Sequence, residues 1–334
     1  MRVRSLFATV LVIVCLSRVS HPLPISPLDV AALAAAADLI VVGQVEATDQ
    51  QGSVMLDLAG GSVAATRFRG RLKADRVLKG DVGADVVFDY LVPDLAIGFQ
   101  GVTAGQYGVF FLKGGQGRWS FLDPTHPTLP AVANALLPPG SALDQITAML
   151  GLVLRSPQAS DADAVRALDA LGRLRTESAG QTLREALKGS SGAMRLNIAR
   201  ALVARNDLTG LEAVSTALLN PKDLSPQLVS NLAGSLAGLR DPNAIPTLSV
   251  LIRTGNTEVR RGAAAALRQT SSPAALEPLS RLLKSSDLQT RYYAVIGLGE
   301  ITGQNAWAPT FDEFQLHEDH YLLYWQDWAR TNLH

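Results

Sequence analysis

The sequence predicts a multidomain α+β chain: a small antiparallel β-barrel followed by an α-solenoid of stacked helical hairpins. Three observations lead there. Leu171, Leu202, Leu236, Leu267 and Leu298 recur at intervals of 31, 34, 31 and 31 residues, each inside an Ala/Leu-rich helical segment. Periods in this range mark hairpins that bury their apolar faces only against neighbouring hairpins. Before residue 123 the chain instead carries short runs rich in Val, Ile and Phe bounded by Gly and Asp, the pattern of strands and turns. Between the two stand Pro124, Pro127, Pro130, Pro138 and Pro139, which remove backbone donors and bias their predecessors away from helix.

Taken in order, residues 1–20 read as a secretory signal. Arg2 and Arg4 form a short basic start, and Leu6 to Leu16 is an apolar run of 11 residues, too short for the roughly 20 needed to span a bilayer. Small residues place cleavage after Ser17, with Ser20 a poorer option because Arg18 would then sit at −3. An uncleaved anchor and a lipidated Cys15 are the alternatives; Val14 stands where lipidation wants a small residue. Cutting after Ser17 removes the only cysteine and leaves 28 basic against 30 acidic side chains. Disulfides, thiolate metal sites and cysteine catalysis are then excluded. The hydrophobic content of 47% and charged content of 18% exclude a disordered chain. The formal net charge of zero lacks the basic excess of a polyanion binder.

Residues 28–123 form the expected β domain. Segments 38–47, 52–58, 84–91, 106–113 and 117–122 read as separate short strands. Arg67, Arg69, Arg71 and Lys73 alternate with Phe68, Gly70, Leu72 and Ala74, so period two places four basic groups on one face, a candidate anion-binding surface or a solvated edge. The stretches ADLIVVGQV (37–45), RVLKG (76–80) and GQYGVFFLKG (105–114) resemble, at low specificity, an oligonucleotide-binding-like (OB-like) barrel of exported proteins, similar to the netrin/TIMP-type module. The resemblance implies a fold and no activity.

Residues 124–140 are expected to be a Pro-rich linker and 141–334 the solenoid, with residues 141–154 or the barrel closing its first end. In 256–284 and 287–302, Val259, Arg260, Ala263, Ala264, Ala266 and Leu267, then Arg291, Ala294 and Leu298, spell a V-R-x-x-A-A-x-A-L pattern. On these residues the chain resembles HEAT repeats of the short, phycobilisome-lyase-like kind, over about residues 160–305. The pattern breaks in the third hairpin, where Val229 replaces the arginine and Pro221 and Pro226 flank a longer unit. Asn256 and Asp287 stand as helix N-caps, and Pro242 and Pro273 where helices begin. A last helix at about 318–330 carries Tyr321, Leu322, Trp325, Trp328 and Ala329 on one stripe and, with Phe311 and Phe314, caps the stack.

The chemistry is sparse. His317-Glu318-Asp319-His320 is the densest cluster of potential metal ligands, but a third ligand is not visible and capping of the last helix explains the acids. Gly297, Gly299 and Gly303 lack the spacing and the preceding strand of a dinucleotide loop and read as helix packing and a helix stop. No catalytic group, metal or cofactor is expected. The resemblance implies that Arg195, Arg260 and Arg291 lie on second helices lining the inner, concave face. There they either grip anions or, as the favoured expectation, form a ladder with acids of the next repeat. Arg200, Arg261, Arg268 and Tyr292 are less constrained and are the candidate partner contacts.

The functional expectation is an exported adaptor, periplasmic or extracellular, that binds a protein or peptide and neither nucleic acid nor, after cleavage, a membrane. A lyase-like or other accessory factor handling a bound cofactor is the alternative. Single-stranded nucleic-acid binding through the barrel is the second.

Overall fold

The computed structural model describes residues 28–58, 61–94, 101–115 and 117–333; the signal-like start lies outside them. Helix α1 (Val30–Ala36), capped by Asp29, leads into six strands: β1 (Leu39–Leu58), β2 (Gly61–Lys79), β3 (Asp85–Pro93), β4 (Tyr107–Gly115), β5 (Arg118–Phe121) and β6 (Thr128–Leu129). Their order is β1-β2-β3-β5-β4-β6, and β1 also pairs with β4.

Two expectations are corrected here. Segments 38–47 and 52–58 are one 20-residue strand, not two. Register shifts at Val45/Ala47 and Gln50/Gly52 absorb extra residues, and such bulges bend a strand without ending it. The sheet is also not wholly antiparallel, because β3 and β5 pair in parallel. Pairing that returns to β1 through five strands needs one parallel pair, since strand direction alternates and five is odd.

Leu39, Ile40, Val41 and Val42 of β1, and Val109, Phe110, Phe111 and Leu112 of β4, are all buried. These strands have core on both faces, which is why their sequences run apolar without alternation. On one side Leu39, Val41, Phe110 and Leu112 join Leu72, Phe88, Tyr90 and Phe121 in a sheet core. On the other, Ile40, Val42, Val109 and Phe111 join α1 and the helices in a second core reaching Trp325. Lys79 ties α1 down by donating to the carbonyls of Ala34 (3.0 Å) and Ala35 (2.8 Å).

The proline-rich stretch is ordered and packed. Its β6 pairs with Val109 and Phe110, Thr128 and Leu129 are buried, and Arg166 donates to the Thr128 carbonyl. It straps the sheet to the helices.

The helices follow as hairpins: α2 (Ala142–Arg155) with α3 (Asp161–Arg173), α4 (Glu177–Gly189) with α5 (Gly192–Val203), α6 (Leu211–Leu219) with α7 (Pro226–Ser235), α8 (Ile245–Leu251) with α9 (Thr257–Gln269), and α10 (Leu276–Leu282) with α11 (Leu288–Thr302). Helix α2 therefore opens the first hairpin. All five register leucines, Leu171 to Leu298, are fully buried. Asn256 and Asp287 cap α9 and α11, and Pro242 and Pro273 begin the 3-10 turns that lead into α8 and α10.

Helices α12 (Phe311–Leu316) and α13 (Glu318–Asn332) close the far end. Trp325 and Phe314 are fully buried. Trp325 Nε1 donates to the Trp307 carbonyl (3.0 Å), and the Trp307 ring stacks on Tyr324. Gly299 is needed for a close approach, since a Cβ there would stand 2.7 Å from Ala308 Cβ, and Gly303 ends α11 at φ +73°. Among the described residues no helix is long and apolar enough to cross a membrane.

Candidate functional site

The second helices of the hairpins, α3, α5, α7, α9 and α11, form one layer and carry the residues expected to meet a partner. The aligned arginines are used inside their own hairpins. Arg195 donates to the Leu187 carbonyl (3.0 Å), Arg260 to Thr254 (2.8 Å) and Arg291 to Ser285 (2.7 Å). These carbonyls lie where the preceding helix ends, and a guanidinium there satisfies a group that the helix cannot. This corrects the expected ladder with acids of the next repeat: among the described residues, Arg291 alone of the three reaches an acid, Glu318 of α13.

The ladder exists on other residues. Arg261 donates to Asp287 (2.8 Å), Arg268 to Glu300 (2.6 Å) and Arg155 to Glu185 (3.1 Å). Arg184 reaches Asp207 at 2.7 Å. Arg261 and Arg268 are thus engaged, not unconstrained, because a carboxylate one helix further along stands within reach of each. The hydrogen bond from Arg261, with those from Thr290 and against burial, holds the Asp287 carboxyl far below the usual carboxylate range. The Arg268 guanidinium is raised, first by its bond to Glu300.

Tyr292 is corrected too. Its ring meets Phe311 edge-on at 5.1 Å and lies 5.6 Å from Phe314, so it belongs to the C-terminal cap. Arg200 is the exception. Its side chain forms no ion pair or hydrogen bond among the described residues, and its Nε is buried without a partner.

The layer holds a shallow cavity of about 270 Å³ where α9 lies between α7 and α11. Its floor is small: Ala233 and Gly234 from α7, Ala237 from the 3-10 turn that follows α7, and Gly262 and Ala265 from α9. Ser230, Glu258, Arg261, Gln289 and Tyr293 ring it, and Gln289 donates to the Tyr293 hydroxyl at 3.1 Å. Of these, sequence reasoning found only Arg261. The available signal was the set of small residues Gly234, Ala237 and Ala265 at positions facing away from the leucines. At Val229, where the aligned arginine is missing, a second hollow of about 490 Å³ opens between Pro221, Leu224, Pro226 and the start of α9.

On the sheet, Arg67, Arg69, Arg71 and Lys73 are exposed on one face, as the alternation requires, with Gly70 and Leu72 buried on the other. The face is of mixed charge. Asp89 pairs with Arg69 at 2.9 Å, and Asp85 lies opposite Lys73 in the register. Its hydrogen bond to Asp89 raises the Arg69 guanidinium.

The histidine cluster divides its labour. Glu318 pairs with Arg291, and the His320 ring lies 4.9 Å from Trp307. Among the described residues no three His, Cys, Asp or Glu side chains gather as a metal-ligand set. His126 Nδ1 lies 2.8 Å from Asp123 Oδ2 in the turn after β5. Partial burial, first, and a hydrogen bond to Asp75 push the Tyr107 hydroxyl up to about 12.

These features define a class, a stack of helical repeats joined to a small sheet. A family model of HEAT repeats matches residues 211–299, and one of the PBS lyase HEAT-like repeat matches residues 163–189. The helical half therefore contains HEAT repeats and PBS-lyase HEAT-like repeats. No curated protein matches the sequence. Among solved structures the chain is similar to the complex of CpcE and CpcF of phycocyanin lyase from Nostoc sp. PCC7120, at 18% identity, covering 54% of this chain and 72% of that one, with a TM-score of 0.38. It is similar to an engineered protein at 19% identity, over 48% and 83% of the two chains, with a TM-score of 0.33. A lipovitellin structure is 14% identical over 74% of this chain and 36% of that one, with a TM-score of 0.36.

Proposed function

We propose that the protein is a non-catalytic adaptor that binds a polypeptide segment across the second-helix layer of its solenoid. The observation that carries this reading is the cavity at α9. Its shallow floor of small side chains leaves room for a main chain, and its rim offers donors and acceptors in the amide, hydroxyl, carboxylate and guanidinium groups of five residues. HEAT repeats in the same helices support a scaffold role.

The test plugs the floor. Ala237→Arg and Ala265→Arg, made together, fill it while sparing the leucine core. Proteins that co-purify with the chain are then compared by mass spectrometry with those held by the unaltered chain. Loss of a partner at unchanged thermal stability supports the adaptor; retention of every partner removes this surface from consideration. Arg268 is not a clean probe, since its reversal also breaks the pair with Glu300.

The alternative, an accessory factor handling a bound cofactor, draws support from the match to the PBS lyase HEAT-like repeat. Native mass spectrometry separates the two, because a stoichiometric chromophore or metal on the purified chain overturns the adaptor reading. We read the sheet as an OB-like barrel, a reading supported by the order β1-β2-β3-β5-β4 with β4 pairing back to β1. We also read the protein as exported, a reading supported by the basic then apolar start of the sequence; the mature N-terminal residue, found by mass spectrometry, tests it.

A further inference from the structure

A cavity of about 470 Å³ opens on the sheet beside β3. Its wall is apolar and firmly built. Tyr90 and Phe121 are 7% and 8% exposed with ring centroids 5.3 Å apart, and Leu56, Leu91 and Pro124 complete it. The Tyr90 hydroxyl donates to the Val102 carbonyl at 3.2 Å, so it adds no free polar group to this wall.

The polar groups at the rim are unequal. Asp89 is neutralised by Arg69, which donates through Nε at 2.9 Å and Nη2 at 3.4 Å. Ser120 reaches the Lys113 carbonyl at 3.5 Å. Arg67 stands opposite Leu91 in the register and lines the cavity. Among the described residues its guanidinium has neither an ion pair nor a hydrogen bond.

An apolar hollow with one uncompensated guanidinium at its lip recognises an apolar body that ends in a carboxylate. The body removes hydrocarbon from water against the aromatic wall, and the guanidinium fork matches a carboxylate with two parallel hydrogen bonds. The volume lies within the range of about 300–1,000 Å³ typical of small-molecule sites.

We propose that this cavity binds a small amphiphilic carboxylate, with its chain against Tyr90, Leu91 and Phe121 and its head group on Arg67. The site is independent of the adaptor reading, since none of its residues lies in the helical repeats. The basic strand face becomes selective in this picture: of its four cations only Arg67 borders the hollow.

The test is calorimetric titration of the full chain with decanoate below its micelle concentration, with decyltrimethylammonium as the opposite-charge probe. Decanoate is expected to bind saturably with one site per chain, and decyltrimethylammonium more weakly. Arg67→Glu should weaken decanoate by about tenfold or more, the scale of a lost hydrogen bond to a charged group. Arg71→Glu, on the same face but outside the cavity, should leave it unchanged. Ser120→Trp fills the mouth and should abolish binding. Each substitution is at an exposed position, and unliganded thermal midpoints confirm that the fold is retained. The proposal is overturned if decanoate does not saturate, if Arg67→Glu binds it as tightly as the unaltered chain, or if Arg71→Glu weakens it equally.

Discussion

The sheet and the helical stack bury apolar surface in different ways. The sheet core is local and aromatic: Phe88 lies 4.9 Å from Phe121 and 6.4 Å from Phe110, ring centroid to ring centroid, in one enclosed cluster. The stack core is a line of leucines and alanines in which each hairpin is covered by the next. Damage to the cluster should therefore be felt throughout the sheet, and damage to the line mainly by adjacent hairpins. A line also has two ends to close. Helix α1 and the outer faces of β1 and β4 close one, and α12 and α13 close the other.

Four expected outcomes sharpen or break this comparison. The largest is Phe110→Ala, which removes a fully buried ring and should cost about 3–5 kcal/mol in chemical denaturation. Hydrogen exchange should report the loss across β1 to β5 together. Next is Leu267→Ala, at about 2–5 kcal/mol, with exchange rising chiefly in α7, α9 and α11. Equal rises in α2 and α3 would show that the stack behaves as one compact core, not as a line.

Third is Asp287→Ala, which removes the N-cap of α11 and the partner of Arg261 and should cost about 2 kcal/mol. Asp287→Asn, which keeps a capping oxygen, should cost less. The carboxyl is depressed in the folded state below its usual 3.8. Its contribution is thus fully present above that value and is lost as pH falls through the folded value. Stability of the unaltered chain should decline below about pH 4, and less steeply in Asp287→Asn. Smallest is Arg200→Met, which removes a guanidinium with an orphaned Nε. It should change stability by no more than about 0.5 kcal/mol, measured by the same denaturation.

What could be read from the chain follows the range of the interaction. The leucine register, the caps Asn256 and Asp287, and the two faces of residues 67–74 are local, since each depends on residues within a turn or two. The glycine run was legible for the same reason. The continuity of β1 was hidden because Gln50 to Gly52 looks like a turn in sequence and becomes a bulge only when β2 pairs across it. That one pair must be parallel follows from the return of β4 to β1, and that it is β3 with β5 is set by the same long-range pairing.

The candidate site was less legible than the fold. Arg260 and Arg261 are neighbours in sequence, yet one serves a carbonyl of its own hairpin and the other an acid of the next. Tyr292 reads as an open position on α11 until α12 brings Phe311 and Phe314 against it.

Periodicity by itself determined that the second half is a pile of hairpins and that the first half is strands, because a helix or strand face must be apolar wherever it is buried. Only the tertiary structure decided which cations are spent and which are free. A charge is satisfied by whatever stands 3 Å away in space, and for Arg261, Arg268 and Arg67 that is set by neighbouring elements, not by their own segments.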